Sequence, residues 1–245
     1  IIHKEIYKIN LRKITLTFRN NFTKCDYILY LNTSVEMADV ERFDIENVTQ
    51  IFLDSLKNED DVLMDEYLNA YEEINRFFHL IGSVFGFVSS DVRSKIDILQ
   101  DFRKKENGEK FVSIKSMMEY EKKMGLLRES SSYVSGSRTL LRLHRGLEFA
   151  YEFLKRLSEL NDCDKTHACC KNAYNDTLGK HHPWVIRKGA LVAMYALPTQ
   201  GELLKRVCVN ASRAIETLPE MLQNTKQVYD RTDKLYHSFD LQSLP

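Results

Sequence analysis

The segment SGSRTLLRLHRGLEFAYEFL, residues 135–154, constrains the fold more than any other stretch of the chain. Its spacing predicts a helix over 137–160. Leu140, Leu143, Leu147, Tyr151 and Leu154 form one apolar stripe, while Phe149 and Phe153 fall near the opposite side, with Gly146 between the two faces. A helix that is apolar on opposite sides is sandwiched between layers. The same helix sets Arg138, Arg142 and Arg145 at i, i+4 and i+7, on one face. Like charges so spaced cost about 0.2–0.5 kcal/mol per pair. The chain must therefore cover this helix on both sides and find a use for a half-buried row of guanidinium groups.

The rest of the sequence supplies the covering elements. From Phe43 onward apolar residues recur at helical spacing, beginning with Ile45, Val48, Ile51, Phe52 and Leu56. Further helices are predicted at 61–88, 90–104, 110–125, 164–180, 184–197, 200–207, 210–223 and 224–238. Ser90 before Asp91 reads as a helix opening, and Thr199-Gln-Gly-Glu202 as a capping box, in which side chains satisfy the free amides of a first turn. Pro183 suits a helix entry, where a missing N–H does no harm. Residues 1–42 mix β-branched and basic residues without a sustained period and form an extension of unknown structure. The expected fold is an all-α domain over 43–245, in which seven to nine helices follow the first.

Composition excludes several classes. There are 35 Lys+Arg against 35 Asp+Glu, so no global basic field argues for nucleic acid and any anion site must be local. The longest apolar run, residues 77–88, falls short of the roughly 20 residues that a membrane-spanning helix needs. The five cysteines are an odd number without framework spacing, which favours reduced thiols and a cytosolic protein. Asn-X-Ser/Thr sequons at Asn21, Asn32, Asn47, Asn175 and Asn210 would matter only in a secretory compartment. The first residue is Ile1, so a secretory or membrane-anchoring leader stays open.

Enzyme motifs are missing: there is no G-x-S-x-G, no P-loop and no H-E-x-x-H, and GSVFGF lacks the third glycine of a dinucleotide loop. Cys163, His167, Cys169, Cys170, His181 and His182 lack paired metal-ligand spacing, so no metal and no cofactor are expected. Asp91 and Lys95 stand at i, i+4, which alone is a surface ion pair. Trp184, the only tryptophan, follows Pro183 and precedes Arg187 and Lys188. Those residues fit a membrane-interface contact as well as a core tryptophan with a solvated flank.

Taken together, VLMDEYLNAYEEINRFFHLIGSVFGFVSSDVRSKIDIL, SGSRTLLRLHRGLEFAYEFL, CKNAYNDTLGKHHPWVIRKGALVAMYALPT and the terminal LYHSFDLQSLP resemble the glycolipid transfer protein superfamily, in its ceramide-1-phosphate transfer branch. The likeness covers roughly residues 43–245. It implies a two-layer sandwich of about eight helices and a monomeric, cytoplasmic protein without covalent chemistry. Such a protein meets membranes transiently and carries one sphingolipid between them. The resemblance implies that Asp91 accepts hydrogen bonds from the ceramide amide and sphingoid hydroxyl. It assigns Lys95, Arg138 and Arg142 to the phosphate and His182 to the amide carbonyl, and puts Trp184, Arg187 and Lys188 at the membrane-docking positions. In the sugar-binding branch the position of Arg142 is a tryptophan that stacks on the sugar; arginine there implies a phosphate headgroup.

Two departures stand out. A loop arginine of the phosphate-binding branch has only Arg128 as its nearest counterpart, and residues 1–42 match nothing in the cytosolic members. For the lipid chains, Phe78, Ile81, Val84, Phe85, Phe87 and Val88 are the candidate lining. The alternative reading is a helical adaptor that senses the lipid and holds a protein partner. A lipid-modifying enzyme using His181 or His182 as base has neither nucleophile nor metal to support it.

Overall fold

The computed structural model describes residues 42–244 apart from 57–58, 83–84 and 128–132. The expected extension over 1–42, apart from Arg42, and the sequons at Asn21 and Asn32 lie outside the described residues, as do Val84 and Arg128. Nine α-helices appear among the described residues, with no strand: α1 (Ile45–Ser55), α2 (Met64–Ile81), α3 (Gly86–Lys104), α4 (Ile114–Lys123), α5 (Gly136–Ser158), α6 (His167–Asp176), α7 (Trp184–Met194), α8 (Gln200–Val207) and α9 (Ala211–Phe239). Single 3₁₀ turns at Gly108–Phe111 and Leu178–Lys180 complete them.

The arginine helix is α5, and it is covered on both sides as its pattern requires. Leu140, Leu143 and Leu147 are buried, and so are Phe149 and Phe153 on the other flank. It packs against α3, α4, α6 and α9, while α1 lies against α2 and α9, and α2 against α3 and α8. This is the two-layer helical sandwich. Its amino end is fixed by Glu121 of α4, whose buried carboxylate accepts from Tyr133 Oη at 2.7 Å, Ser135 Oγ at 2.8 Å, Gly136 N at 2.6 Å and Ser137 N at 2.9 Å. An anion at the positive end of a helix, bonded to its free amides, is favourable in both respects. Farther along, Tyr71 Oη donates to the carbonyl of Leu143, and Tyr236 Oη to that of Ser137 at 2.7 Å.

Several element boundaries differ from the periodicity. The run expected over 61–88 stops at Ile81, because Gly82 adopts φ 146° and the guanidinium of Arg206 on α8 donates to the freed carbonyl of Ile81 at 2.7 Å. The next helix then opens at Gly86, so Ser90 is no cap: it lies inside α3 and its hydroxyl bonds back to the Gly86 carbonyl at 2.9 Å. Over 110–125 a 3₁₀ turn precedes α4, which has its own capping box between Ser113 and Ser116. The expected 164–180 helix shortens to α6 plus the second 3₁₀ turn. The helices expected at 210–223 and 224–238 are one element, α9, which accommodates Pro219 and closes on Asp240 in the left-handed region at φ 58°. Thr199 and Glu202 form the expected capping box of α8.

Polar ties lock elements distant in sequence. The Arg103 guanidinium meets both oxygens of Asp65, at 2.7 and 2.8 Å, joining the end of α3 to the start of α2. Asn224 on α9 donates to the Thr49 carbonyl of α1 at 3.2 Å. Two sequon hydroxyls are buried in internal bonds, Thr49 to Ile45 O at 2.6 Å and Thr177 to Ala173 O at 2.7 Å. Cys163, Cys169, Cys170 and Cys208 are free thiols. No described helix is long and apolar enough to cross a membrane.

Candidate functional site

The residues singled out for the headgroup come from α3, α5 and the segment before α7. On α3, one helical turn brings Lys95 Nζ to 2.6 Å from Asp91 Oδ1, with the lysine largely sheltered and the carboxylate about half exposed. Arg138 is buried in the first turn of α5, 8% exposed, and Arg142 one turn on is exposed. His182 is half-buried, and its Nδ1 lies 2.8 Å from the hydroxyl of Tyr174 on α6. Burial pushes His182 below the ordinary imidazole value; Asp91 opposes that shift while His181 and Lys95 reinforce it. Asp91, Lys95 and His182 are thus within electrostatic reach of one another, although 87 residues separate Lys95 from His182 in sequence.

Cations gather beyond the expected set. Burial lowers the affinity of His181 for a proton, and Arg145 and Lys180 lower it further. Arg145, the third arginine of the row, donates to the main-chain carbonyl of Gln242 at 2.9 Å. Its partner is therefore the carboxy-terminal segment rather than solvent or a neighbouring acid. Sequence reasoning missed Tyr174, Lys180 and Gln242, and no local pattern points to them.

On the apolar side, Phe78, Ile81 and Phe85 are buried in the core and Val88 packs against it, whereas Phe87 is 41% exposed. A run of rings leads inward from the polar end: Tyr174 meets Phe149 edge-on at 6.1 Å, Phe149 lies parallel to Phe78 at 6.3 Å, and Phe78 meets Phe77 at 5.7 Å. Phe77 in turn lines an apolar cavity between α1, α2, α5, α8 and α9, with Ile45, Leu154, Leu157, Leu204 and Leu218. None of Phe78, Ile81, Phe85 and Val88 lines that cavity.

Trp184 is no core residue. It opens α7 69% exposed, with the Lys188 ammonium 5.8 Å from its ring centre. Tyr195 at 68%, Val192 at 55% and Val185 at 48% extend an exposed apolar surface along α7. Trp184, Lys188 and Tyr195 fall on one side at helical spacing, a signal the sequence does carry. Arg187 is also exposed.

The family model described as glycolipid transfer protein matches residues 62–209. The chain belongs to the glycolipid transfer protein family. Among relatives in this family, the ceramide-1-phosphate transfer protein of Danio rerio is 39% identical over 215 residues, covering 85% of this chain and 100% of the relative. The crystal structure of the mouse ceramide-1-phosphate transfer protein without lipid matches with a TM-score of 0.78 at 34% identity, covering 83% of this chain and 100% of that one. The human ceramide-1-phosphate transfer protein in complex with 12:0 ceramide-1-phosphate matches with a TM-score of 0.77 at 34% identity over the same shares. The all-helical architecture of this chain is therefore the glycolipid transfer protein fold, and the family consists of lipid carriers.

Proposed function

We propose that this protein is a non-enzymatic carrier of ceramide-1-phosphate between membranes, working from a transient contact with the membrane surface. The domain over 43–245 does the carrying, and residues 1–42 precede it as an extension. The observation that carries the reading is the juxtaposition of a cationic mouth with an apolar interior. Lys95, Asp91 and His182 lie within electrostatic reach of one another, α5 with Arg138 and Arg142 packs against the helix that carries Asp91 and Lys95, and the rings of Phe149, Phe78 and Phe77 lead from Tyr174, beside His182, to the cavity. A phosphate monoester carries roughly −1.5 to −2 charges at neutral pH. Arginine forks and a lysine match it with charge-assisted hydrogen bonds, which offsets their mutual repulsion. Asp91 receives the amide and hydroxyl protons of the ceramide, and His182 donates to its carbonyl. The relatives named ceramide-1-phosphate transfer protein support the same cargo.

The test is transfer between phosphatidylcholine vesicles of ceramide-1-phosphate, galactosylceramide and phosphatidic acid, in wild type, Arg142→Leu and Asp91→Val. The wild type is expected to move ceramide-1-phosphate best. Each substitution is expected to lower that rate by more than about tenfold, about 1.4 kcal/mol, with the melting temperature preserved. Unchanged transfer by both variants overturns the reading, as does equal transfer of the three lipids.

A further inference from the structure

We propose that Tyr174 is a positioning residue of the headgroup site: its hydroxyl donates to Nδ1 of His182, which fixes the ring and leaves the imidazole proton on Nε2, 2.8 Å separating the two bonded atoms. What this does for lipid binding rests on the carrier reading above, whereas the effect on His182 itself does not.

The side chain of Tyr174 is built to hold that position. It is only 2% exposed. Its ring meets Phe149 of α5 edge-on, at 6.1 Å and 88°. On another side it lies against Gly179, where a Cβ would stand 3.1 Å from Cε1 and 2.7 Å from the Tyr174 carbonyl oxygen. Only a glycine lets the 3₁₀ turn come that near. The turn leads directly into His182, so one packing arrangement sets both the phenol and the backbone that carries the imidazole.

Protonation lets the phenol act as the donor that the proposal assigns to it. Burial pushes the Tyr174 hydroxyl up to about 12, so it keeps its proton at neutral pH. Burial also holds His182 below its ordinary value, so the ring is neutral and has one nitrogen to accept with. With Nδ1 accepting from the phenol, Nε2 must carry the hydrogen. An amide carbonyl requires a donor, and the Nε2–H tautomer supplies one in a fixed direction. Without the phenol the two tautomers interchange and the ring is free to turn.

Tyr174→Phe keeps the ring contacts and removes only the hydroxyl. Long-range ¹H–¹⁵N NMR of the lipid-free protein reads the tautomer of His182, assigned by its loss in His182→Leu. Wild type is expected as the Nε2–H form, and Tyr174→Phe as an averaged pair of nitrogen shifts. Binding of ceramide-1-phosphate held in phosphatidylcholine vesicles is expected to weaken about three- to tenfold, the effect of one hydrogen bond, with the melting temperature unmoved. In the His182→Leu background the same change is expected to add nothing, because the two residues act as one unit. A retained Nε2–H form in Tyr174→Phe overturns the proposal, and so does an undiminished further loss on top of His182→Leu. If the tautomer responds but neither His182→Leu nor Arg142→Leu alters binding, the carrier reading falls while the hold of Tyr174 on the His182 ring stands.

Discussion

At the scale of single residues, the side chain with most at stake in the scaffold is Glu121. It is fully buried, and its two oxygens collect four donors, two of them the first amides of α5. That bond set fixes where α5 begins and hence where Arg138, buried one turn in, presents its guanidinium. Glu121→Gln preserves size but turns an acceptor into a donor facing donors, at a cost of about 2–4 kcal/mol. Urea unfolding is the check: the midpoint should fall with the slope unchanged. A midpoint equal to wild type would show that the carboxylate is dispensable. Arg145 teaches the complementary lesson, since it shares a helix face with two proposed phosphate ligands yet spends a hydrogen bond on the Gln242 carbonyl.

At the scale of elements, α7 stands apart from the rest. It buries Ala190, Ala193 and Met194 and leaves Trp184, Val185, Val192 and Tyr195 in solvent. Exposed apolar side chains flanked by cations on one helix fit an interfacial contact, in which the rings enter the headgroup region while Arg187 and Lys188 meet lipid phosphates. The double variant Trp184→Ala with Tyr195→Ala should weaken association with phosphatidylcholine–phosphatidylserine vesicles by about tenfold or more. Because both side chains stand in solvent, the melting temperature should move by less than about 2 °C. Vesicle co-sedimentation and thermal unfolding measure the two arms. Sedimentation equal to wild type would assign α7 some other partner.

At the scale of the whole molecule, the histidines make stability depend on pH. Burial lowers the proton affinity of His144, His181 and His182 below the ordinary 6.5, and for His144 this outweighs the attraction of Asp233, 3.4 Å from its Nε2. The folded chain therefore binds fewer protons than the unfolded one below that value, so stability rises with pH. The melting temperature should be level above about pH 7 and decline as pH falls through about 6. His144→Gln, which removes the most buried of the three, should lessen that decline. A melting temperature constant over this range in wild type would contradict it.

What the sequence by itself determined is what lies within one helix or one long motif. The two-sided apolar pattern of α5, the spacing of Asp91 to Lys95 and of Arg138 to Arg142, the capping box at Thr199 and the family likeness are all local or collinear. Helical periodicity and caps encode them directly. Tertiary structure decided what depends on residues far apart. The end of α2 is set by an arginine 125 positions away, and the partner of Arg145 lies 97 positions on. Tyr174 and His182 are near in sequence, yet the hydroxyl reaches the imidazole only because Phe149 and Gly179 hold the phenol ring in place. The cavity, too, is lined by five different helices rather than by one apolar run. Periodicity states which face of a helix is buried; close packing of several faces decides which atoms finally meet, and that information is shared among segments rather than written in any of them.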